Sequence, residues 1–486
     1  MPLNQTPFHN GFLSQFEEVS VDDLAITEGS IPDWLKGTYV RNGPGQFTLG
    51  KGKYWHWFDG LAMPHRYVFA EGHVSFANRY LQTANYRVDN ATEKLNFRMS
   101  VTDPNRTFWQ KLSAPFSMRF TDNTNVHSVE MDGQYVALTE RQEAWTFDLN
   151  TLETSGLFQY NNSVGNITQT AHPHYDPKTR TIYNLMLRSG LRSAYEIYTL
   201  KDRTYTRLAK IHAPNPSYMH SFSMTENYII ITEYPCQLTF WSTLQFLFTD
   251  TPYLANFAWR PQQGTIFTVI SKASGEVVKQ VQADAFFSFH HINAFEDGSN
   301  VVVDISAYAD SSIIQALYVA TMQSDVEYSV MTAEYRRYTI PMNTPSALIS
   351  VNYDLASDDR IILPRINYNH YNTKPYRYTY GVSTHGNIRD FVNEVVKVDT
   401  EQGRVSNNWY IEGDYPSEPV FAPRPGATAE DDGVIMSTVY SSELDKSYLL
   451  LLDGQTFDLQ ARVDLPIRIP FGFHGRWYPN GDMYAL

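Results

Sequence analysis

Short apolar stretches closed by Asp, Asn or Gly recur along the whole chain, and in several places a second stretch returns after a tight turn. Alternating apolar residues suit β-strands, while Gly, Asn and Asp suit turns, so these units are predicted β-hairpins. Four examples are "AWTFDLNTLETSGLFQY", "FTVISKASGEVVKQVQ", "VVKVDTEQGRVSNNWY" and "LLLDGQTFDLQARVDL". Repetition of this unit over 486 residues predicts an all-β protein built as a β-propeller. Seven blades suit this length, although the spacing is too irregular for a count.

The chain is predicted to form a single domain over residues 1–486. No long Ser/Gly-rich or Pro-rich linker divides it, and no block of like charge stands out. Helical patterns are few. The clearest is "SSIIQALYVATMQ" at 311–323, which we expect to be a helix in an insertion over one face of the propeller.

Charge and cysteine content exclude several classes of protein. The formal net charge of −14 offers no basic surface for nucleic acid. The single cysteine, Cys236, excludes an intrachain disulfide framework and fits a reducing compartment. The first twenty residues lack the basic and apolar regions of a signal peptide, and no apolar run reaches the ~18 residues that span a bilayer. We therefore expect a cytoplasmic protein without a membrane-spanning segment.

Aromatic residues make up 14% of the chain. They suit β-strands, and they also suit a cavity for an apolar ligand, so both explanations stay open. A segment from Leu238 to Trp259 is apolar and aromatic but is interrupted by Asp250 and Pro252. It suits either a buried insertion or an element that lies in a membrane interface. The residues alone favour the buried insertion.

Six histidines lie in apolar, strand-like settings: His172, His174, His220, His290, His291 and His474. Imidazole binds iron, copper, zinc and nickel, and a propeller brings strand ends from different blades to one axis. A single histidine in such a setting is more often structural, so both interpretations stay open. Metal-bound imidazoles usually donate their other ring N–H to a carboxylate, for which Glu140 and Glu418 are candidates because their neighbours are apolar. The HExxH, GxSxG and P-loop patterns are absent.

The same stretches resemble the carotenoid cleavage oxygenase family, and in particular its animal-type branch of β-carotene oxygenases and retinal isomerohydrolases. The resemblance runs from Gly29 to the end of the chain, and its motifs are highly specific. They include "TAHPHYDP", "YMHSFSMTENYIII", "FHHINAFEDG", "KPYRYTYG", "YPSEPVFAPRPGATAEDDGV" and "FGFHG". This family implies a seven-bladed propeller with a dome of helices and loops over its metal-bearing face.

Carried over motif by motif, the resemblance implies that four histidines hold a non-haem Fe(II) ion. They are His172, His220, His290 and His474. His174 and His291 are then bystanders. Family members use three glutamates to orient three of these ligands, and two correspond to Glu140 and Glu418. Ile362 stands in place of the third, which leaves the ring of His290 without its usual partner.

The function implied is dioxygenase cleavage of a conjugated double bond in a carotenoid or apocarotenoid, with O2 as co-substrate and aldehydes as products. Thr139 is expected to face the O2 pocket or the substrate. Stilbenoid-cleaving relatives are expected to carry lysine there, so threonine favours a carotenoid. The alternatives are a stilbenoid-cleaving dioxygenase, a retinoid isomerohydrolase and a non-enzymatic propeller that binds a hydrophobic ligand. The resemblance also shifts the interpretation of the segment from Leu238 to Trp259 towards docking on a membrane surface, with the protein a monomer.

Overall fold

The computed structural model describes most of the chain. The described residues are 6–50, 52–104, 109, 119–165, 168–190, 192–239, 241–242, 249–324, 332–344, 353, 360–386 and 390–480. Within these ranges, seven antiparallel sheets contain three or more strands, and each forms one blade of a propeller. The predicted all-β, seven-bladed architecture is confirmed.

Every blade begins with a strand near the central axis and proceeds outwards. Blade 1 consists of Gly475–Pro479, Gly37–Arg41, His65–Ala70, His73–Asn78 and Ser20–Val21. Blade 2 consists of His127–Met131, Gln134–Leu138, Trp145–Phe147 and Thr154–Leu157. Blade 3 consists of Thr168–Gln169, His174–Asp176, Thr181–Arg188, Ala194–Lys201 and Thr204–His212. Blade 4 consists of Ser223–Met224, Tyr228–Glu233, Thr265–Ser271 and Val277–Ala283.

The remaining blades follow the same order. Blade 5 consists of His291–Asp297, Asn300–Ala307 and Glu334–Pro341. Blade 6 consists of Ile362–Arg365, Tyr378–Ser383, Glu394–Asp399 and Arg404–Tyr410. Blade 7 consists of Asp414–Pro416, Val420–Pro423, Gly433–Ser441, Lys446–Asp453, Leu459–Asp464 and Ile26–Gly29.

Smaller elements lie outside the blade sheets, most of them in loops between strands of one blade. Three two-stranded ribbons pair Pro44–Gln46 with Leu61–Ala62, Thr48–Leu49 with Gly52–Lys53, and Cys236–Leu238 with Phe257–Trp259. The α-helices are Ala84–Thr92, Ile313–Ala316, Val319–Met322 and Tyr368–Tyr371. The 3-10 helices are His9–Phe12, Trp57–Asp59, Leu254–Asn256 and Pro261–Gln263. In the described part of the chain, none of the helices is long and apolar enough to cross a membrane.

Both ends of the chain close the ring. The last strand, Gly475–Pro479, pairs with Gly37–Arg41 and becomes the innermost strand of blade 1. Near the other end, Ile26–Gly29 pairs with Leu459–Asp464 and becomes the outermost strand of blade 7. Blades 1 and 7 are therefore each assembled from residues far apart in sequence, and neither is complete until the chain returns on itself.

All four hairpins predicted from the sequence are present. Trp145–Phe147 pairs with Thr154–Leu157, Thr265–Ser271 with Val277–Ala283, Glu394–Asp399 with Arg404–Tyr410, and Lys446–Asp453 with Leu459–Asp464. The turn between Asp399 and Arg404 uses Gly403 at φ 64°, a conformation that costs glycine no steric penalty.

Two predicted elements differ in the structure. The helix predicted at 311–323 is broken into Ile313–Ala316 and Val319–Met322, because Tyr318 is extended and forms a bridge with His56. The backbone N–H of Val319 there donates to Trp55 O at 2.8 Å. The aromatic stretch "AFFSF" before His290 also predicts a strand, but it is not one, since its only pairing is an isolated bridge from Phe287 to Tyr308.

The blades depend on side chains buried between neighbouring sheets, such as Leu451 in the middle of blade 7, which is 0% exposed. Replacing Leu451 by Ala should lower the free energy of unfolding by about 2–5 kcal/mol, because it removes buried methyl groups and leaves a cavity. The matched control is Leu444→Ala, since Leu444 is 52% exposed, and it should change stability by less than about 0.5 kcal/mol. Urea unfolding followed by tryptophan fluorescence measures both, and equal losses would contradict this packing.

Candidate metal centre

The four histidines predicted as ligands lie at corresponding places in four blades. His172 precedes the strand His174–Asp176 of blade 3, and His220 precedes Ser223–Met224 of blade 4. His290 comes directly before the first strand of blade 5, and His474 directly before the first strand of blade 1. Because the first strands of the blades surround the axis, side chains that enter at the same end of these strands meet there.

The four imidazoles form one compact group. One ring nitrogen from each residue lies within 4.8 Å of the corresponding nitrogens of the other three. The Nε2 atoms of His172 and His220 are 3.0 Å apart, and those of His290 and His474 are 3.3 Å apart. Their ring centroids are 4.4 to 6.5 Å apart. This arrangement offers four nitrogen donors to a single ion.

Carboxylates accept the outward ring N–H of two of these histidines. His220 Nδ1 donates to Glu140 Oε1 at 2.5 Å, and Tyr218 donates its hydroxyl to the same oxygen at 2.7 Å. His474 Nδ1 donates to Glu418 Oε1 at 2.7 Å, while Glu418 Oε2 accepts the backbone N–H of Gly475 at 2.7 Å. In both rings the proton is on Nδ1, so Nε2, which faces the centre of the group, is unprotonated. A metal requires such an unprotonated nitrogen.

Arg41 holds the Glu418 segment in place. Its side chain is fully buried, and Nη1 donates to the backbone oxygen of Glu418 at 2.7 Å. Nη2 donates to the backbone oxygen of Phe473 at 3.1 Å. Burial raises the pKa of Glu418, and the charges of Arg365 and Arg41 oppose that rise. Arg41 thus joins the backbone of Phe473, the residue before His474, to the backbone of Glu418, whose carboxylate orients His474.

Burial favours the uncharged form of His172, His290 and His474. It lowers the pKa of His172, His290 and His474 well below the usual range, and the neighbouring histidines lower it further. A cluster of protonated imidazoles would repel itself in this setting. Neutral imidazole is the form that binds metals.

His290 differs from His220 and His474 because the described residues supply no hydrogen-bond partner to its Nδ1. Ile362, at the position where the family resemblance predicts a third glutamate, is 8% exposed and lies with His290 in the wall of one cavity. An aliphatic side chain cannot accept the N–H. The sequence-based expectation that this ring lacks its usual carboxylate therefore agrees with the geometry.

His174 and His291 lie outside the four-histidine group. His174 Nε2 donates to Phe222 O at 2.9 Å, and its Nδ1 is 3.1 Å from the hydroxyl of Tyr368. His291 Nε2 is 3.0 Å from the hydroxyl of Tyr234. Both rings are engaged in contacts between blades.

Sequence reasoning missed His127, a buried residue on the first strand of blade 2. Its ring centroid is 5.6 Å from that of His172 and 5.5 Å from that of His474. In sequence it stands in "TNVHSVEM", an apolar stretch of the same kind that surrounds the other histidines. That similarity was the one sequence feature that could have pointed to His127. Only the fold shows that it lies close to the four-histidine group.

An apolar cavity opens beside the imidazoles of His220, His290 and His474. Loops that join strands within blades 1, 5 and 6 supply much of its aromatic and aliphatic wall, namely Trp57, Phe58, Tyr308, Leu317, Phe391 and Val392. Thr139 and Glu140 also line it, and Thr139 is 8% exposed. Neither lysine nor arginine is among the described residues that line this cavity.

The segment from Leu238 to Trp259 lies partly outside the described residues. Within them, Cys236–Leu238 pairs with Phe257–Trp259 at the base of the segment, and Trp241 is 76% exposed. Cys236 is buried, and burial raises the pKa of its thiol to about 12. The exposed indole contrasts with the buried insertion that the residues alone favoured.

Comparison with known proteins identifies the family. The family model described as retinal pigment epithelial membrane protein matches residues 12–479. The chain belongs to this family of carotenoid oxygenases. It is 30% identical to the mitochondrial carotenoid-cleaving dioxygenase of Mustela putorius furo, covering 95% of each chain. It is 31% identical to the β,β-carotene 15,15'-dioxygenase of Mus musculus, covering 95% of this chain and 90% of that protein.

A solved structure of this family has the same fold. The apocarotenoid oxygenase of Synechocystis, in a cobalt-substituted form, superimposes with a TM-score of 0.85 at 25% identity. The match covers 98% of this chain and 99% of that one. The expected membership of the carotenoid oxygenase family is confirmed over nearly the whole chain.

The donor set of this carotenoid oxygenase suits a first-row transition metal. Four neutral nitrogen donors converge, and two of them have a carboxylate on the far side of the ring. The group includes no carboxylate or thiolate. Nitrogen donors alone suit iron, copper, zinc or nickel better than magnesium or calcium. The residues present therefore fit a metal-dependent oxygenase.

Replacing Glu418 by Gln should weaken metal binding by about 10- to 100-fold, because it removes the charged acceptor of the His474 N–H. The matched control is Glu443→Gln, since Glu443 is exposed and far from the axis in blade 7. Metal content after gel filtration and the rate of metal release to a chelator measure the effect. Equal retention by both variants would show that Glu418 does not support the centre.

Proposed function

We propose that this protein is an Fe(II)-dependent dioxygenase that cleaves a conjugated double bond of a carotenoid or apocarotenoid with O2 and releases aldehydes. One observation carries the proposal: three of the four clustered imidazoles form part of the wall of an apolar, largely aromatic cavity. A purely structural histidine cluster would have no reason to open onto an apolar cavity. The names of its relatives, carotenoid-cleaving dioxygenase and β,β-carotene 15,15'-dioxygenase, support the same chemistry.

His172, His220, His290 and His474 would hold the iron, and Glu140 and Glu418 would orient two of those rings. When bound, ferrous iron supplies the site for O2 and its activation for attack on an electron-rich alkene. The protein positions the substrate and keeps water out of the site. Its cavity wall would align the polyene beside the imidazoles and exclude water, and no side chain needs to donate a proton.

The cavity favours an uncharged, elongated apolar substrate. Its described lining lacks a lysine or arginine that would hold a phenolate, carboxylate or phosphate. Thr139 lies beside Glu140 in this wall, and we propose that it faces O2 or the substrate. The lack of a cation there supports a carotenoid over a stilbenoid phenol.

We also propose that the protein is a cytoplasmic monomer that docks on a membrane surface, from which a water-insoluble polyene would enter. The segment from Leu238 to Trp259 would provide the contact, and the 76% exposure of Trp241 supports this role. An exposed indole is well suited to the interface between lipid and water.

The activity is tested with iron-loaded protein in detergent, supplied with β-carotene, an apocarotenal or a stilbene under 18O2. We expect aldehydes from one or both polyenes, with label in both new carbonyl groups and no turnover of the stilbene. Products are identified by chromatography and mass spectrometry, with metal-free protein as the control. Iron-replete protein that leaves every polyene intact would contradict the proposal and favour a ligand-binding role.

Adjacent histidines provide a matched pair for the ligand assignment. His290→Ala should abolish retention of iron, because it removes one of four donors. His291→Ala should retain near-wild-type iron, because His291 contacts Tyr234 rather than the group. Iron content per chain and circular dichroism are measured together, so that a folding defect is recognised. Equal loss of iron in two folded variants would refute the assignment.

A further inference from the structure

A histidine that binds a metal through Nε2 almost always donates its other ring N–H to an acceptor, because the metal makes that N–H more acidic. Glu140 fills this role for His220 and Glu418 fills it for His474. His172 turns its Nε2 towards His220, so its Nδ1 is the atom that carries the proton. Within the described residues, no hydrogen bond is made by that Nδ1.

His127 has an acceptor nitrogen without a donor, whereas His172 has a donor without an acceptor. Its Nδ1 lies 3.2 Å from the backbone oxygen of Ala171, which can only accept, so Nδ1 carries the hydrogen. In the neutral ring Nε2 is then a bare acceptor. This Nε2 is buried and has no partner in the described part of the chain. A buried polar atom without a partner is destabilising, so its presence calls for an explanation.

The two rings are close enough to satisfy each other. Two imidazoles joined by one N–H···N bond have centroids about 5 to 5.5 Å apart, since the bond spans about 3 Å and each ring adds about 1 Å. The centroids of His127 and His172 are 5.6 Å apart with an interplanar angle of 31°. His474 is equally near to His127, but its Nδ1 is already bound to Glu418.

We propose that His127 is a positioning residue of the metal centre, whose Nε2 accepts the Nδ1–H of His172 directly or through one water molecule. The inference rests on the proposed function, because it assigns a partner to one of the proposed ligands. His127 also anchors the backbone of Ala171, the residue before His172, through its other nitrogen. It thus controls both the place and the ring orientation of His172.

A neutral acceptor has a different effect from a third glutamate. His127 orients a ligand without adding a negative charge to this buried region, where uncompensated charge is costly. Ile362 likewise adds none.

Two substitutions separate the roles of the two nitrogens. In His127→Asn the amide N–H takes the place of Nδ1 and keeps the bond to Ala171 O, but the acceptor at Nε2 is lost. In His127→Gln the amide oxygen takes the place of Nε2, and the bond to Ala171 O is lost. Both variants and wild type are loaded with Fe(II) anaerobically, and the rate of iron release to a chromogenic chelator is measured.

We expect His127→Asn to release iron about 10- to 100-fold faster than wild type, and His127→Gln to stay within about threefold of it. A rate for His127→Asn that does not exceed that for His127→Gln would overturn the inference, since anchoring of Ala171 alone would then matter. Wild-type protein that retains no iron would instead overturn the proposed function, and this inference with it. Urea midpoints show whether each variant is folded.

If either variant fails to fold, a crystal structure of metal-loaded wild-type protein decides the question. We expect His172 Nδ1 to lie within hydrogen-bonding distance of His127 Nε2, or to share one ordered water with it. A loaded structure in which His172 Nδ1 bonds to another group, or in which neither contact exists, would overturn the proposal.

Discussion

Four imidazoles that face one another inside a protein impose a strict arrangement of protons. If the rings are protonated they repel, and if they are neutral each ring keeps one N–H that must find an acceptor. Burial lowers the pKa of His172, His290 and His474 and so favours the neutral form. Groups around the rings then have to accept hydrogen bonds from the remaining ring N–H donors. Glu140 and Glu418, which accept from His220 and His474, follow from this requirement.

The propeller meets this requirement by closing its ring. His474 comes directly before the first strand of blade 1, a blade otherwise made from the beginning of the chain. Arg41 bonds to the backbone of Phe473 and of Glu418 and so joins this stretch to blade 7. The centre therefore forms only when blades 1 and 7 are both complete. Loops between strands of the same blade supply much of the cavity wall, so the axis that brings the histidines together and the cover that shapes the cavity are separate parts of the molecule.

Much of the fold and part of the site could be predicted from the residues. The four hairpins were recognisable because Gly, Asn and Asp at turns and alternating apolar residues are local features. The two short helices at 313–322 were not recognisable as separate elements. The pattern is helical by itself, and a tertiary contact between Tyr318 and His56 breaks it. His127 escaped notice because nothing in its local sequence distinguishes it from a structural histidine. Ile362 was identified as an exception only through the family resemblance.

By itself the sequence determined the hairpin repeat, the residue types available to the site and the family to which the chain belongs. These follow from local propensities and from motifs that are contiguous in the chain. Only the tertiary structure decided which histidines share one centre, which acceptors stand behind them and which cavity they face. His172 and His474 are far apart in sequence, and the distance between their rings, 4.4 Å, is set by the closure of seven blades around one axis.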